Sequence, residues 1–416
     1  MELTQVIDLK AARQDPARFR AALARRGAAD AFDALLAADT VWRELTDQVD
    51  RLRARNKPKG SPTAEQIEQF KQHKEQLRSA EENLAKAADE RQNLLDRLPN
   101  LPHPTAPDGG EDEGEVLRTW GEIRPLGFTP RDHLELESRA GWVDMKRGTR
   151  LSGSRFAYRV GDVALAETAL YRFALDRIIA KGFTYLLPPV LVNERAMYGT
   201  GYLPNEESNL YRLDEKDELY LSGTSEVALG GFHMGERLEE SQLPARYTAF
   251  STNFRREAGS AGKDTRGMFR VHQFDKVEMF VFCLPEQSER IHEEILAIEE
   301  EIIQALGLPY RVVNIAIGDL GNPAAKKYDI EAWFPAQQRY REVTSCSSTT
   351  DYQARRLNTR VRREAGTEFV HTVNGTGITA RALLAVMENF QDEHGTVTVP
   401  EPLQTHGAPP HLGRTR

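Results

Sequence analysis

In the first hundred residues the hydrophobic positions recur with the period of a helix and leave the remaining faces polar. Within 33–55, Trp42, Leu45, Val49 and Leu52 follow at spacings of three, four and three. Within 63–98, Ile67, Phe70, Leu77, Leu84, Leu94 and Leu98 mark a second stripe, with Ala80, Ala87 and Ala88 in small positions along it. Alternating steps of three and four are the seam of a coiled coil. The connecting run Asn56-Lys57-Pro58-Lys59-Gly60-Ser61-Pro62 cannot continue a helix, because its prolines lack the N–H and its glycine lowers helix stability. The pattern predicts two long antiparallel helices, an arm on the order of 35–50 Å long at 1.5 Å per residue.

Past residue 98 the pattern changes. Leu98-Pro99-Asn100-Leu101-Pro102-His103-Pro104 and the acidic stretch 108–115 are rich in Pro, Gly and carboxylates, so 105–118 reads as a linker. Beyond 119, β-like runs (185–192, 277–283, 310–317) alternate with helical ones (164–181, 286–306, 380–391). This predicts an α+β fold: a mixed domain over 119–416 behind a helical domain over 1–104. No run approaches the ~18 apolar residues of a membrane helix, and no basic segment followed by an apolar core opens the chain. Neither a membrane association nor a secretory route is expected.

Composition adds three constraints. With 416 residues, 40% hydrophobic and 28% charged, the chain can bury two cores. Its two cysteines, Cys283 and Cys346, are far apart and in no metal-ligand spacing. A reducing, cytoplasmic setting is expected, without a disulfide framework or structural zinc. The net charge of −8 argues against a nucleic-acid partner only if the charge is evenly spread. It is not: Arg51, Arg53, Arg55, Lys57 and Lys59 crowd the turn of the arm. A hairpin alone serves equally as a spacer or dimerisation element, but a basic tip suits phosphate contacts that position a folded RNA.

The densest chemistry lies between Asn253 and Phe280. Asn253-Phe254-Arg255-Arg256-Glu257 leads into a glycine-rich basic loop, and Met268-Phe269-Arg270-Val271-His272-Gln273-Phe274-Asp275-Lys276-Val277-Glu278 leaves it. Apolar ends around such a loop predict a hairpin. Its four arginines and two lysines give a field suited to polyphosphate, since guanidinium forks match phosphate oxygens. No P-loop is present, and Gly375-Thr376-Gly377 is too short for a dinucleotide fingerprint.

This segment resembles motif 2 of the class II aminoacyl-tRNA synthetases, in the long form of the seryl-tRNA synthetase family. Gly182-Phe183-Thr184-Tyr185-Leu186-Leu187-Pro188-Pro189 resembles motif 1. Val373-Asn374-Gly375-Thr376-Gly377-Ile378-Thr379-Ala380-Arg381, leading into Ala385-Val386-Met387-Glu388, resembles motif 3. Gly223-Thr224-Ser225-Glu226-Val227 and Glu342-Val343-Thr344-Ser345-Cys346-Ser347 are similar to two further family segments. The resemblance spans nearly the whole chain and implies a catalytic domain with an antiparallel sheet flanked by helices, behind an α-helical coiled-coil hairpin.

It also implies roles. Arg255 holds the α-phosphate of ATP and stabilises the charge that builds as serine's carboxylate attacks. Arg270 grips the terminal phosphate, Phe274 and Arg381 enclose adenine, and Glu257 accepts from its amino group. Arg256, Val271, Val343 and Thr344 complete the nucleotide site. Glu342 and Ser345 offer hard oxygens to the Mg²⁺ that accompanies ATP. For serine, Glu278 takes the ammonium, with Thr224, Ser225, Glu226, Asn374 and Thr376 around the side chain and Arg255 near the carboxylate. The partners implied are serine, tRNA(Ser), tRNA(Sec) where it exists, and a second copy of the chain in a homodimer. Two rival readings remain: an aminoacyl-carrier-protein ligase, whose relatives lack the arm, and a non-catalytic paralogue, expected to lose the very arginines and acids retained here. Cys346 and His272 read as structural.

Overall fold

A computed structural model describes residues 7–54, 63–214, 216–258 and 267–413. The chain divides into two compact units, Met1–Pro102 and His103–Arg416.

The first unit is helical. Two short helices, α1 (Leu9–Gln14) and α2 (Pro16–Ala24), precede α3 (Ala29–Arg53) and α4 (Ala64–Arg97). Asp15 starts α2 by accepting from Arg18 N, with Pro16 at the first helical position, where its missing N–H costs nothing. Thr63 and Gln66 form a reciprocal capping box that starts α4. The helices α3 and α4 pair antiparallel, and Trp42, Leu45, Val49 and Leu52 are the less exposed positions of their stretch. On α4 the less exposed line runs through Leu77, Ala80, Leu84 and Ala87, with the two alanines buried and the two leucines half-buried. Two polar residues extend it. His73 Nε2 lies 3.0 Å from Leu52 O, near the described end of α3, and Arg91 occupies the next seam position beyond Ala87. Ile67 and Phe70, by contrast, are exposed, because α4 continues past the point where α3 ends at Arg53. Of the basic residues assigned to the tip, Arg55, Lys57 and Lys59 lie outside the described residues. Arg53 pairs with Glu81 at 2.7 Å, and Arg51 is exposed.

The base of this unit is pinned by Asp39, which receives Arg13 Nε and Arg91 Nε at 2.7 Å each, while Arg91 also lies 4.4 Å over the Trp42 ring. Burial alone would raise the Asp39 carboxyl, but the hydrogen bonds from Arg13 and Arg91 outweigh it and hold it below 3.8. The stability this adds is present above that pH and is lost as pH falls through the lowered native value. The Asp39→Ala variant leaves Arg91 buried with no carboxylate and is expected to cost this unit about 3–5 kcal/mol. Urea unfolding followed on the isolated segment 1–102 measures it, and a loss below about 1 kcal/mol would contradict the assignment.

The second unit is built on a sheet of eight strands, numbered here along the chain: β1 (Glu115–Trp120), β2 (Thr184–Leu186), β3 (Ala245–Phe254), β4 (Gln273–Cys283), β5 (Tyr310–Asn314), β6 (Lys326–Phe334), β7 (Arg339–Thr350) and β8 (His371–Thr379). Their order is β1-β5-β6-β7-β8-β4-β3-β2, antiparallel except where β2 joins β3. Helices α5 (Asp162–Ala180), α8 (Ser288–Ala305) and α10 (Ala380–Asn389) cover one face, meeting Val277, Met279, Val281, Val373 and Ile330 in the main core. The short helices α6 (Glu194–Thr200), α7 (Ser225–Gly230) and α9 (Tyr352–Leu357) sit at one end of the other face, where Leu229 of α7 and Ala354 of α9 join Phe280. The rest of that face is the floor of the cavity described below.

Two expectations change. The segment 105–118 is not a free linker: Ala106 is buried, Ile317 N donates to Pro107 O at 2.9 Å, and β1 pairs with β5. Its acidic residues are exposed, as are all six positions of β1. The run 185–192 is two short strands rather than one, because Pro188 and Pro189 have no N–H to donate to a ladder. Asn374, Gly375 and Thr376 lie within β8. Gly375 is required there by close packing: a Cβ would sit 2.3 Å from Ile295 Cγ2 and 2.7 Å from Glu299 Oε1 of α8.

Candidate active site

Alternation along the strands brings distant residues to one face. On β4, Phe274, Lys276 and Glu278 are two apart and share the side away from the main core. On β8, Asn374 pairs with Ser347 of β7, and Thr376 pairs with Glu278. On β7 the two oxygen donors Glu342 and Ser345 are three apart, which in a regular strand would put them on opposite faces. A bulge at Val343 corrects this: Glu342 pairs with Glu331 and Ser345 with Asp329, and these two partners alternate normally. The motif 2 hairpin expected from sequence is the β3–β4 pair. Its basic loop at 259–266 lies outside the described residues.

These strands and the ends of their connections line a cavity of about 360 Å³, within the range typical of small-molecule sites (about 300–1,000 Å³). Fourteen of the residues expected from sequence line it: Arg255, Glu257, Arg270, Val271, Phe274, Glu342, Val343, Thr344, Ser345, Arg381, Glu226, Glu278, Asn374 and Thr376. Three do not. Arg256 turns away, donating to Leu210 O at 2.8 Å and lying 4.9 Å over the Tyr211 ring, so it braces the cavity from behind. Thr224 is fully buried as the N-cap of α7, its Oγ1 accepting from Glu226 N at 3.2 Å. Ser225, in the first turn of that helix, is also buried. Thr224 thus fixes the start of the helix that carries Glu226.

At one end of the cavity two of the three arginines already have an acid. Arg270 Nη1 lies 3.0 Å from Glu257 Oε2, and Arg381 Nη1 lies 3.1 Å from Glu342 Oε2. Burial would raise the Glu342 carboxyl, but Arg381 and Lys327 overcome it and hold it well below the ordinary carboxylate range. Glu342 is therefore an ionised hard oxygen donor at neutral pH. Among the described residues no three His, Cys, Asp or Glu side chains converge as a metal site. Glu342 and Ser345 would supply two oxygens of a coordination shell that phosphate oxygens could complete, a donor set that fits a Mg²⁺ arriving with a nucleotide. Arg255 differs from the other arginines. Its Nε donates to Gly223 O at 3.1 Å and its guanidinium lies 5.2 Å over Phe274, with its remaining N–H groups left for a ligand. Phe274 is thus stacked on Arg255, while Arg381 lies 5.1 Å over Phe269, an aromatic the sequence reading did not single out.

At the other end two carboxylates have contrasting partners. Glu278 is paired with Lys276, both nearly buried, and Thr376 Oγ1 approaches at 3.5 Å. Glu226 has neutral partners, Tyr202 Oη at 3.1 Å and Gln353 Nε2 at 2.7 Å. Burial pushes the Glu278 carboxyl up to about 7, with Lys276 pulling the other way and Glu226 adding to the rise. Lys276, Tyr202 and Gln353 went unread in the sequence. Lys276 carried a signal, being two residues from Glu278 on one strand; the other two are distant in sequence and had none. Cys346 and His272 are structural as expected: the thiol is buried and its pKa raised by burial, and His272 Nδ1 lies 2.9 Å from Arg255 O.

Residues 6–102 match the family described as the seryl-tRNA synthetase N-terminal domain, and 210–390 match the class II synthetase core domain (G, H, P, S and T). The serine–tRNA ligase of Thermobifida fusca is 46% identical over 96% of this chain and 97% of its own length. That of Streptomyces coelicolor is 46% identical over 98% of both chains. The chain belongs to the seryl-tRNA synthetase family. Among solved structures, the Pyrococcus horikoshii seryl-tRNA synthetase complexed with ATP superposes with a TM-score of 0.91 at 38% identity, covering 99% of this chain and 100% of that one. The cytoplasmic serine–tRNA ligase of Naegleria fowleri in complex with AMP gives 0.86 at 32% identity, over 100% and 99% of the two chains. The family's class II core is the antiparallel sheet described above, and its N-terminal domain is the helical unit that carries the arm.

Proposed function

We propose that the chain is an ATP-dependent serine–tRNA ligase. The observation that carries the reading is the two-ended cavity: three arginines and an ionised Glu342 at one end, two carboxylates with small hydroxyl and amide groups at the other. In the first step a serine carboxylate oxygen attacks the α-phosphorus of ATP, the bond from that phosphorus to the bridging oxygen breaks, and pyrophosphate leaves; a Mg²⁺ held by Glu342 and Ser345 would neutralise part of the phosphate charge. Arg255 faces the place where charge builds on the α-phosphoryl group, and Arg270 and Arg381 exchange their acids for phosphate and adenine. Catalysis is positioning and charge stabilisation, with no side-chain nucleophile. In the second step the terminal adenosine hydroxyl of tRNA attacks the seryl carbonyl and AMP leaves. Mass-spectrometric detection of seryl-adenylate from serine and MgATP, and of seryl-tRNA when tRNA(Ser) is added, tests the two steps separately.

Charge accounting assigns the serine contacts differently from the resemblance. Glu278 already has an ammonium beside it in Lys276, so its free lone pairs and Thr376 suit the substrate hydroxyl. Glu226 has neutral partners and suits the substrate ammonium. A site built to pair a hydroxyl leaves its own polar groups unsatisfied with alanine or glycine, and so rejects both. With the Glu278 carboxyl raised to about 7, the free enzyme gains this carboxylate as pH rises through that value. Apparent kcat/KM for serine, at saturating ATP, is expected to climb between about pH 6 and 8 and then level off. The Glu278→Gln variant loses that limb; a wild-type profile flat across the range would contradict the assignment.

We further propose a cytoplasmic homodimer that takes Mg²⁺ with ATP and binds tRNA through the arm. Leu187, in the segment resembling motif 1, is 79% exposed, and Leu165 on the preceding helix α5 is 52% exposed, a surface suited to a second copy. Both cysteines are buried and free, as in a reducing compartment. Among the described residues no helix is long and apolar enough to cross a membrane.

A further inference from the structure

We propose that Gln353 is the positioning residue for Glu226: its amide holds that carboxylate at the serine end of the cavity, so serine affinity depends on a side chain outside the cavity wall. The inference rests on the functional reading above and deepens it.

Gln353 lies on α9 and is fully buried. A primary amide has two N–H donors and two acceptor lone pairs, and all four are used here. Nε2 donates to Glu226 Oε1 at 2.7 Å and to Thr200 O, at the end of α6, at 3.2 Å. Oε1 accepts from Thr372 Oγ1 of β8 at 2.9 Å and from Thr349 Oγ1 of β7 at 3.4 Å. The orientation is fixed by chemistry. Glu226 and Thr200 O are pure acceptors and need the NH₂, while the two threonine hydroxyls can donate and need the carbonyl. Thr349 has one hydroxyl proton and shares it between this carbonyl and Thr372 O at 3.0 Å, so Thr372 makes the stronger bond to the amide oxygen. The Glu226 carboxylate is thereby connected through one amide to both strands that carry Asn374 and Ser347.

The choice of an amide follows from what Glu226 must do. A cation at 353 would neutralise the carboxylate and compete with a substrate ammonium, as Lys276 does at Glu278. An apolar residue would leave one Glu226 oxygen without a donor. The amide orients the acid without cancelling its charge. The titratable groups facing it are Tyr202, Glu206 and Glu278, each of which also has Arg255 nearby, and among the described residues Tyr202 gives the Glu226 carboxylate its other hydrogen bond.

Two substitutions separate positioning from mere packing. The near-isosteric Gln353→Met removes the donors, and is expected to raise KM for serine roughly 10- to 100-fold in ATP–pyrophosphate exchange, the effect of losing a hydrogen bond to a charged group. KM for ATP should stay within about twofold, because the nucleotide end does not touch α9. Gln353→Glu places two carboxylates against each other, so that one proton is shared between them. While that proton is held, the new carboxyl donates to Glu226 as the amide does. Serine KM of this variant is expected to lie near wild type at pH 6 and to rise relative to wild type, by about 10-fold or more, towards pH 8.5. Two outcomes overturn the proposal: Gln353→Met with serine KM within twofold of wild type, or both KM values and thermal stability worsening together in both variants with no pH dependence in Gln353→Glu. Absence of serine-dependent exchange in the wild-type chain overturns the functional reading itself, is seen before any variant is made, and takes this proposal with it.

Discussion

Arg255→Ala is expected to lower serine-dependent ATP–pyrophosphate exchange by roughly 10³-fold, near the upper end of what removing one oriented donor from a developing oxyanion costs. The expectation follows from how Arg255 is held. The paired cations of the cavity, Arg270 and Arg381, touch acids, whereas Arg255 is fixed by a backbone carbonyl at 3.1 Å and an aromatic face. Its free N–H groups are therefore already aligned, and little reorganisation is needed when charge builds on the phosphoryl group. Arg255→Lys keeps the charge but loses both the fork and the bond to Gly223 O, so it should recover only a small part of the loss. The decrease should fall mainly on kcat. Exchange within tenfold of wild type in Arg255→Ala would remove Arg255 from the account.

The second large effect concerns the arm. Removing residues 46–87 and closing the gap with a short turn keeps the base of the helical unit, where Asp39, Arg91 and Trp42 meet. Adenylate formation should stay within about threefold of wild type, because the residues lining the cavity all belong to the other unit. Charging of tRNA(Ser) should fall by on the order of 10²-fold or more, since a phosphate-contacting tip contributes to RNA affinity over a long lever. The measurement is aminoacylation and exchange on the same preparation. Equal loss of both activities would make the arm a structural element; loss of neither would remove RNA from its role.

What could be read from the sequence, and what could not, follows from the range of the interactions involved. The arm was legible because a seam of apolar residues repeats locally, and α3 and α4 end within a few residues of the positions read from spacing alone. His73 and Arg91 were passed over because a seam position filled by a polar side chain looks like surface until its partner, Leu52 O or Asp39, is known. The nucleotide end was legible through dense basic character and family motifs. The common face of Glu342 and Ser345 was not, since it depends on a bulge at Val343 that only the register with β6 reveals. Arg256 was misassigned because neighbouring arginines on one extended segment point opposite ways, and the sequence does not say which faces the cavity. Gln353 was invisible: it meets Glu226, 127 residues away in sequence, through one buried amide.

The central claim is that one cavity joins ATP to serine. It is tested most directly by ATP–pyrophosphate exchange on the purified full chain, with serine run beside alanine, glycine and threonine at equal concentration. The account predicts exchange with serine and, for alanine and glycine, rates lower by roughly 10⁴-fold, the discrimination expected of a site that pairs the missing hydroxyl. Threonine, which keeps the hydroxyl, is excluded only by the room its methyl group finds near Thr376 and Asn374. Exchange with none of the four, in protein that binds ATP, would contradict the account.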